Sequence, residues 1–108
     1  MQQIEQHMSY QKPYLDSVLT LPAFAQQLQL NSNLLSQILN EGFGENFYRF
    51  INRYRVEESK RLLLDPACKH YTILAVALEA GFSSKSTFNR TFKEITGCAP
   101  SEFTRQNS

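Results

Sequence analysis

The sequence lacks most of what marks membrane, secreted and catalytic chains. No apolar run approaches the roughly 18 residues of a membrane span. Met1 is followed by a polar, Gln-rich stretch, so no secretory leader is visible. Only two cysteines occur, Cys68 and Cys98, with no C-x-x-C pair. That fits a reducing compartment rather than a disulfide scaffold, and free thiols at the surface are expected. The two histidines, His7 and His70, lie far apart, so neither a zinc site nor another cofactor is expected. There is no G-x-G-x-x-G and no P-loop. No nucleophile with a base, carboxylate pair or metal cluster has a workable spacing, so the chain reads as no enzyme.

Positive charge is missing from one stretch. Residues 14–45 contain no Lys or Arg, only Asp16, Glu41 and Glu45, for a net −3. Residues 46–108 hold ten Lys/Arg against six Asp/Glu, for a net +4. The formal total of +1 therefore hides an acidic front and a basic back. The 108 residues, 42% of them apolar, suffice for one small domain or two very small ones.

What remains is helical periodicity. Glycine is scarce, and Gly42, Gly44, Gly81 and Gly97 each fall where a helix can stop. A short helix is expected over residues 2–11, with Ile4 and Met8 inside, ended by Lys12-Pro13. Tyr14, Leu15, Val18 and Leu19 anchor a connecting segment. Thr20 caps a helix with Leu21, Phe24, Ala25 and Leu28 on one face, and Pro22 fits its first turn. Ser32 caps the next, with Leu34, Leu35, Ile38 and Leu39 inside, and Gly42-Phe43-Gly44 stops it. Asn46 caps a long helix to about Leu64, striped by Phe47, Phe50, Ile51 and Tyr54 and ended by Asp65-Pro66. On it Arg49, Arg53, Glu57 and Arg61 step at four-residue intervals, which predicts i, i+4 pairs. Thr72 caps a helix over 73–80, and Gly81-Phe82-Ser83 turns the chain. Ser84 caps a helix with Phe88, Phe92 and Ile95 inside, and Pro100 helps start a last one anchored by Phe103.

Part of this pattern occurs twice. Ala25 and Ala77 are 52 residues apart, and so are Ser32 and Ser84. Each pair brackets a helix, a tight turn and a second helix, which is the signature of two helix-turn-helix units. Steeply crossing helices need a small side chain at the crossing, and the turn favours a residue tolerant of positive φ, as Gly81 is. The outer face of the second helix is Lys85, Ser86, Asn89, Arg90 and Lys93 in the second unit, donors suited to base edges and phosphates. In the first unit it is Asn33, Ser36, Gln37 and Asn40, polar but uncharged. The helix between the units, 19 residues from Asn46, spans about 28 Å at 1.5 Å per residue. Successive major-groove faces lie ~34 Å apart, so both second helices can reach adjacent turns of B-DNA if the bulk of the subdomains or a bend in the DNA meets the small shortfall.

Three stretches resemble the C-terminal DNA-binding domain of AraC/XylS-type bacterial transcription regulators. The strongest is GFSSKSTFNRTFKEITGCAPSEF, residues 81–103. The others are INRYRVEESKRLLLD, residues 51–65, and LTLPAFAQQLQLNSNLLSQILNEGFGENF, residues 19–47. The resemblance implies an all-α fold of two helix-turn-helix subdomains joined by a long bridging helix. Its divisions are residues 1–18 as N-terminal helix and lead-in, 19–45 and 72–104 as the two units, and 46–65 as the bridge. It implies that helices 32–41 and 84–96 enter adjacent major grooves of promoter DNA. By position, Asn33, Ser36 and Gln37, then Lys85, Ser86, Asn89 and Arg90, face bases, with Lys93 beside them. It further implies RNA polymerase as a partner, a sensory or dimerisation region elsewhere in a longer parent, and a cytoplasmic location for this domain. Where relatives carry an aromatic and lysines, this chain has Leu39-Asn40-Glu41. The second unit is therefore expected to anchor binding and the first to contribute uncharged contacts. The acidic first unit also motivates an alternative, a helical protein-interaction module with weak or lost DNA binding.

Overall fold

The computed structural model describes residues 2–107. Its α-helices are α1 (Gln2–Tyr10), α2 (Leu21–Gln27), α3 (Ser32–Ile38), α4 (Phe47–Leu64), α5 (Ile73–Glu79), α6 (Lys85–Thr96) and α7 (Pro100–Asn107). Single 3-10 turns at Pro13–Leu15 and Pro66–Cys68 precede α2 and follow α4. There is no strand among the described residues, and no helix there is long and apolar enough to cross a membrane. The architecture is two helix-turn-helix subdomains, α2–α3 and α5–α6, joined by α4.

Side-chain caps set most of the helix starts. Thr20 Oγ1 accepts from Ala23 N at 3.2 Å, Thr72 Oγ1 from Ala75 N at 3.0 Å and Ser84 Oγ from Thr87 N at 3.1 Å. Asn46 Oδ1 accepts from Arg49 N at 2.8 Å and opens α4. Each such cap stabilises its helix by about 1 kcal/mol. One expected cap is displaced by a residue. Asn31, with extended backbone, accepts from Leu34 N at 2.8 Å, and Ser32 is already the first helical residue. The two polar residues are adjacent, and the amide oxygen of the earlier one reaches the free N–H.

The end of α3 also differs from the expectation. The stop falls within Gly42-Phe43-Gly44, but the last turn is not α-helical. It widens into a π-helical turn over Leu39–Phe43, closed by Gly44 at φ 68° with Glu45 N donating to Leu39 O at 3.2 Å. This wider turn keeps Leu39 buried and brings Phe43 edge-on to Phe50 at 4.9 Å.

The internal repeat extends to backbone detail. Leu30 N donates to Ala25 O at 2.9 Å, and 52 residues on Phe82 N donates to Ala77 O at 2.9 Å. The turn residues between them, Gln29 and Gly81, both have positive φ, 59° and 98°. Ala25 and Ala77 are buried, as a close helix crossing demands.

Two cores form along α4, one at its first half and one at its second. The first gathers Ile4, Met8, Tyr14, Leu19, Phe24, Leu35, Leu39, Phe50 and Ile51. The second gathers Val56, Leu62, Val76, Phe82, Phe88 and Phe92, with Phe103 packed on it. The bridging helix changes core between Tyr54, which packs on the first, and Val56, which belongs to the second. Of the connecting segment, Tyr14 and Leu19 are buried in the first core, whereas Leu15 is partly exposed and Val18 largely so.

The predicted ladder of i, i+4 pairs on α4 is replaced by other pairings. Arg53 reaches back eight residues to Glu45, Nε to Oε1 at 2.9 Å, and lies 5.1 Å from the Tyr54 ring centre. Glu57 takes Lys60 at 3.1 Å, and Arg61 forks onto Glu58 at 2.8 and 2.9 Å. A guanidinium beside an aromatic ring and a carboxylate only 14% exposed is better held than one pairing across open helix surface.

Candidate nucleic-acid interface

The second helix of the second unit is held from within. Phe88 and Phe92 on α6 are fully buried, and the rings of Phe82, Phe88, Phe92 and Phe103 follow one another at 5.1, 5.6 and 5.5 Å. Ala77 and Ala80, with no exposed surface, let α5 approach α6 closely. The other side of α6 turns outward. Lys85, Ser86, Arg90 and Lys93 are exposed and Asn89 is half-buried. All five line one open groove of about 700 Å³, closed at its sides by Ile73 at the start of α5 and by Ala99, Pro100 and Ser101 at the start of α7. These four bordering residues carry no pattern that sequence reasoning can separate from ordinary helix starts.

Charge pairing separates this face from the bridging helix. On α4, Arg49, Arg53, Lys60 and Arg61 all meet carboxylates. Arg55 is bound to the carbonyls of Tyr14 and Asp16 at 2.7 and 2.9 Å. By contrast, among the described residues, the side chains of Lys85, Asn89, Arg90 and Lys93 make no hydrogen bond or ion pair. The cations of α4 are thus tied to partners within the fold, whereas those of α6 are left open. Arg49 and Arg53 share Glu45.

The first unit presents a different face. Asn33 and Gln37 are exposed on α3 and Ser36 is half-buried. Gln37 Nε2 lies 3.4 Å from Glu41 Oε1, and Asn40 Nδ2 lies 3.5 Å from Ser36 Oγ. These contacts are long and exposed, so they steer the side chains only weakly. Asn33, Ser36 and Gln37 lie outside the α6 groove.

No group of three His, Cys, Asp or Glu able to hold a metal occurs among the described residues. His7 instead pins α1 to α2, its Nε2 2.7 Å from Gln27 Oε1. Cys68 and Cys98 are free but half-buried rather than at the surface, and Cys68 packs against the second core. Glu58 is held below the usual carboxylate range chiefly by its hydrogen bonds from Arg61, against a desolvation that pushes the other way.

Two successive pairs of crossed helices, the second bearing a face of unpaired donors, define a two-unit helix-turn-helix protein. Among known proteins, a helix-turn-helix domain model matches residues 24–106. The chain belongs to the AraC-type helix-turn-helix family, a family of DNA-binding domains of transcription regulators and not of enzymes. It is 31% identical over 100 residues to an uncharacterised HTH-type transcriptional regulator of Staphylococcus aureus strain COL. That match covers 93% of this chain and 13% of the relative's length. The C-terminal domain of the two-component response regulator yesN from Fusobacterium nucleatum superposes with a TM-score of 0.80 at 26% identity, covering 95% of each chain. The DNA-binding domain of AdpA, a global transcriptional factor solved with its target DNA, shares the fold at TM-score 0.80 and 16% identity, covering 95% of this chain and 90% of that one.

Proposed function

We propose that this chain is a sequence-specific double-stranded DNA-binding domain of a bacterial transcription regulator, with α6 as its principal reader. The observation that carries this reading is the α6 face. Three cations and an amide stand unpaired along one groove, on a helix whose opposite face is fixed by four phenylalanines. In this reading Lys85, Ser86, Asn89 and Arg90 meet base edges, Asn89 suits adenine and Arg90 guanine, and Lys93 meets phosphate. Asn33, Ser36 and Gln37 on α3 read a neighbouring groove with uncharged contacts. The fold shared with AdpA, whose structure contains target DNA, supports the same assignment. The proposed divisions are a lead-in over 1–18, units over 19–45 and 72–104, and a bridge over 46–65. The proposed setting is cytoplasmic, on promoter DNA beside RNA polymerase, with sensing or dimerisation carried by other parts of a longer regulator.

The test is a fluorescence-anisotropy titration on a duplex that the protein itself selects from a random pool, at two salt concentrations. Arg90→Ala and Asn89→Ala should each cost about 1–3 kcal/mol on the selected duplex and relax preference at one position. Lys93→Ala should weaken all sequences alike and lower the salt slope by about 0.9. Unchanged binding by both Arg90→Ala and Asn89→Ala refutes α6 as the reader. Failure to select any sequence would favour the protein-interaction alternative, whose supporting observation is the acidic first unit.

A further inference from the structure

Arg55 sits where α4 leaves one core for the other, between Tyr54 and Val56. It serves neither core. Its Nε donates to Tyr14 O at 2.7 Å, its Nη2 to Asp16 O at 2.9 Å and its Nη1 to Asn52 Oδ1 at 3.3 Å. The segment it grips is the 3-10 turn Pro13–Leu15, entered through Lys12 at φ 50°. Tyr14 is buried in the first core, with its ring 5.6 Å from that of Tyr54. The same turn also lies against the second unit. A Cβ on Gly81 would overlap the Tyr14 carbonyl oxygen and stand 3.0 Å from Leu15 Cα. One turn of chain therefore touches the first core, the bridging helix and the turn of the second helix-turn-helix. A single helix is a compliant link between two small units, because it bends and twists. A second connection beside it converts a hinge into a brace.

We propose that Arg55 is a positioning residue that, by clamping the Pro13–Leu15 turn against α4 and Gly81, fixes the setting of α6 relative to α3. The inference rests on the reading of α3 and α6 as readers of two neighbouring grooves. A braced pair binds its second groove at high effective concentration only when the spacing matches. Inserting one base pair between the two contacted blocks turns the second by about 34° and moves it ~3.4 Å along the duplex. A braced protein cannot follow that change, whereas a hinged one can.

The experiment compares the duplex selected by the wild-type chain with versions carrying one inserted or one deleted base pair between its two contacted blocks. Wild type should lose on the order of 30-fold in affinity on either change, within the range that linked binding can supply. Arg55→Ala should lose on the order of 10-fold on the matched duplex and then under about 3-fold more on the altered ones. Arg55→Lys keeps the charge but not the fork, and should fall between them. Arg61→Ala, which cuts only the Glu58 and Asp65 pairings on the same helix, should keep the wild-type spacing preference. A purely structural role for Arg55 predicts one uniform loss at every spacing, and that result overturns the proposal. So does loss of cooperative unfolding in both Arg55 variants. If wild type selects no duplex, the DNA-binding reading fails and the brace with it. If wild type discriminates spacing and Arg55→Ala does so equally, the brace alone fails.

Discussion

Gly81→Ala is predicted to be among the most damaging single methyl additions in this chain, and its counterpart in the first unit is predicted to be nearly harmless to vary. The two positions, Gly81 and Gln29, are equivalent in the repeat and share positive φ, 98° and 59°. An alanine in the left-handed region costs about 1–2 kcal/mol, offset by about 0.4–1 kcal/mol from the stiffer unfolded chain. Strain alone thus predicts a loss near 1 kcal/mol. The neighbours change the answer. The new Cβ would overlap Tyr14 O, an acceptor already held by Arg55 at 2.7 Å. Either the helix-turn-helix turn or the Pro13–Leu15 turn must move, and a hydrogen bond from a charged donor worth about 1.5–3 kcal/mol is strained or lost. The sum is about 2–4 kcal/mol, a large share of the 5–15 kcal/mol typical of a domain. At about 4–8 °C per kcal/mol, Tm should fall by roughly 8–32 °C. Gln29→Gly exchanges the strain of a side chain at positive φ for unfolded-state entropy of similar size, and should stay within about 1 kcal/mol of wild type.

The assay is denaturant unfolding followed by far-UV circular dichroism, with a double-mutant cycle between Gly81→Ala and Arg55→Ala. Because both changes act on one carbonyl, their losses should be less than additive by about 1 kcal/mol or more. A loss below about 1 kcal/mol for Gly81→Ala, or strict additivity in the cycle, would mean that the turn yields freely and that the clamp is not stiff.

Other outcomes follow from the same geometry. Asn31→Ala should lose about 1 kcal/mol and Ser32→Ala only a few tenths, since the amide of Asn31 caps α3; the reverse order in thermal melts would restore Ser32 as the cap. Lowered by Arg61, the Glu58 carboxyl contributes stability that is present above its unfolded pKa and lost as pH falls through its depressed folded value. With Arg61 59% exposed the effect is small, so Glu58→Gln should flatten the acid limb of a stability profile only slightly and leave the neutral region lower by under about 1 kcal/mol. A steeper acid limb in Glu58→Gln would contradict the assignment.

Most of the fold is legible in the sequence because its causes are local. Thr20, Asn46, Thr72 and Ser84 each cap the helix that begins one residue later, and a cap needs only a short side chain beside a free N–H. Periodicity locates Phe88 and Phe92 inside α6, which by elimination puts Arg90 and Lys93 outside. Where two neighbouring residues offer the same chemistry, as at Asn31 and Ser32, local reasoning slips by one position. It fails more completely where the partner is distant or is backbone. Arg55 in a row of α4 cations looks like another solvated charge, yet its acceptors are carbonyls 41 and 39 residues away, and every residue has a carbonyl. Gly81 is legible as a turn glycine, but its second reason, the Tyr14 oxygen packed against it, is not.

The same limit applies to charge, and it reshapes the site. Summing Lys and Arg over residues 46–108 gives an excess of +4 but does not say where it is free. Long-range geometry decides that. Glu45, counted with the acidic front, folds onto Arg49 and Arg53 of the bridge, so part of the front's negative charge is spent structurally on the back's positive charge. What is left unneutralised on the first unit's second helix is Glu41, beside Gln37. On the second unit's second helix it is Lys85, Arg90 and Lys93, with Glu94 the single carboxylate beside them. The asymmetry between the two halves thus persists on the two reading faces. Glu41→Gln should test it directly: removing one carboxylate near the backbone of a bound duplex should raise affinity several-fold at low salt and little at high salt. If affinity is unchanged at both, α3 does not approach the phosphates, and α6 binds alone.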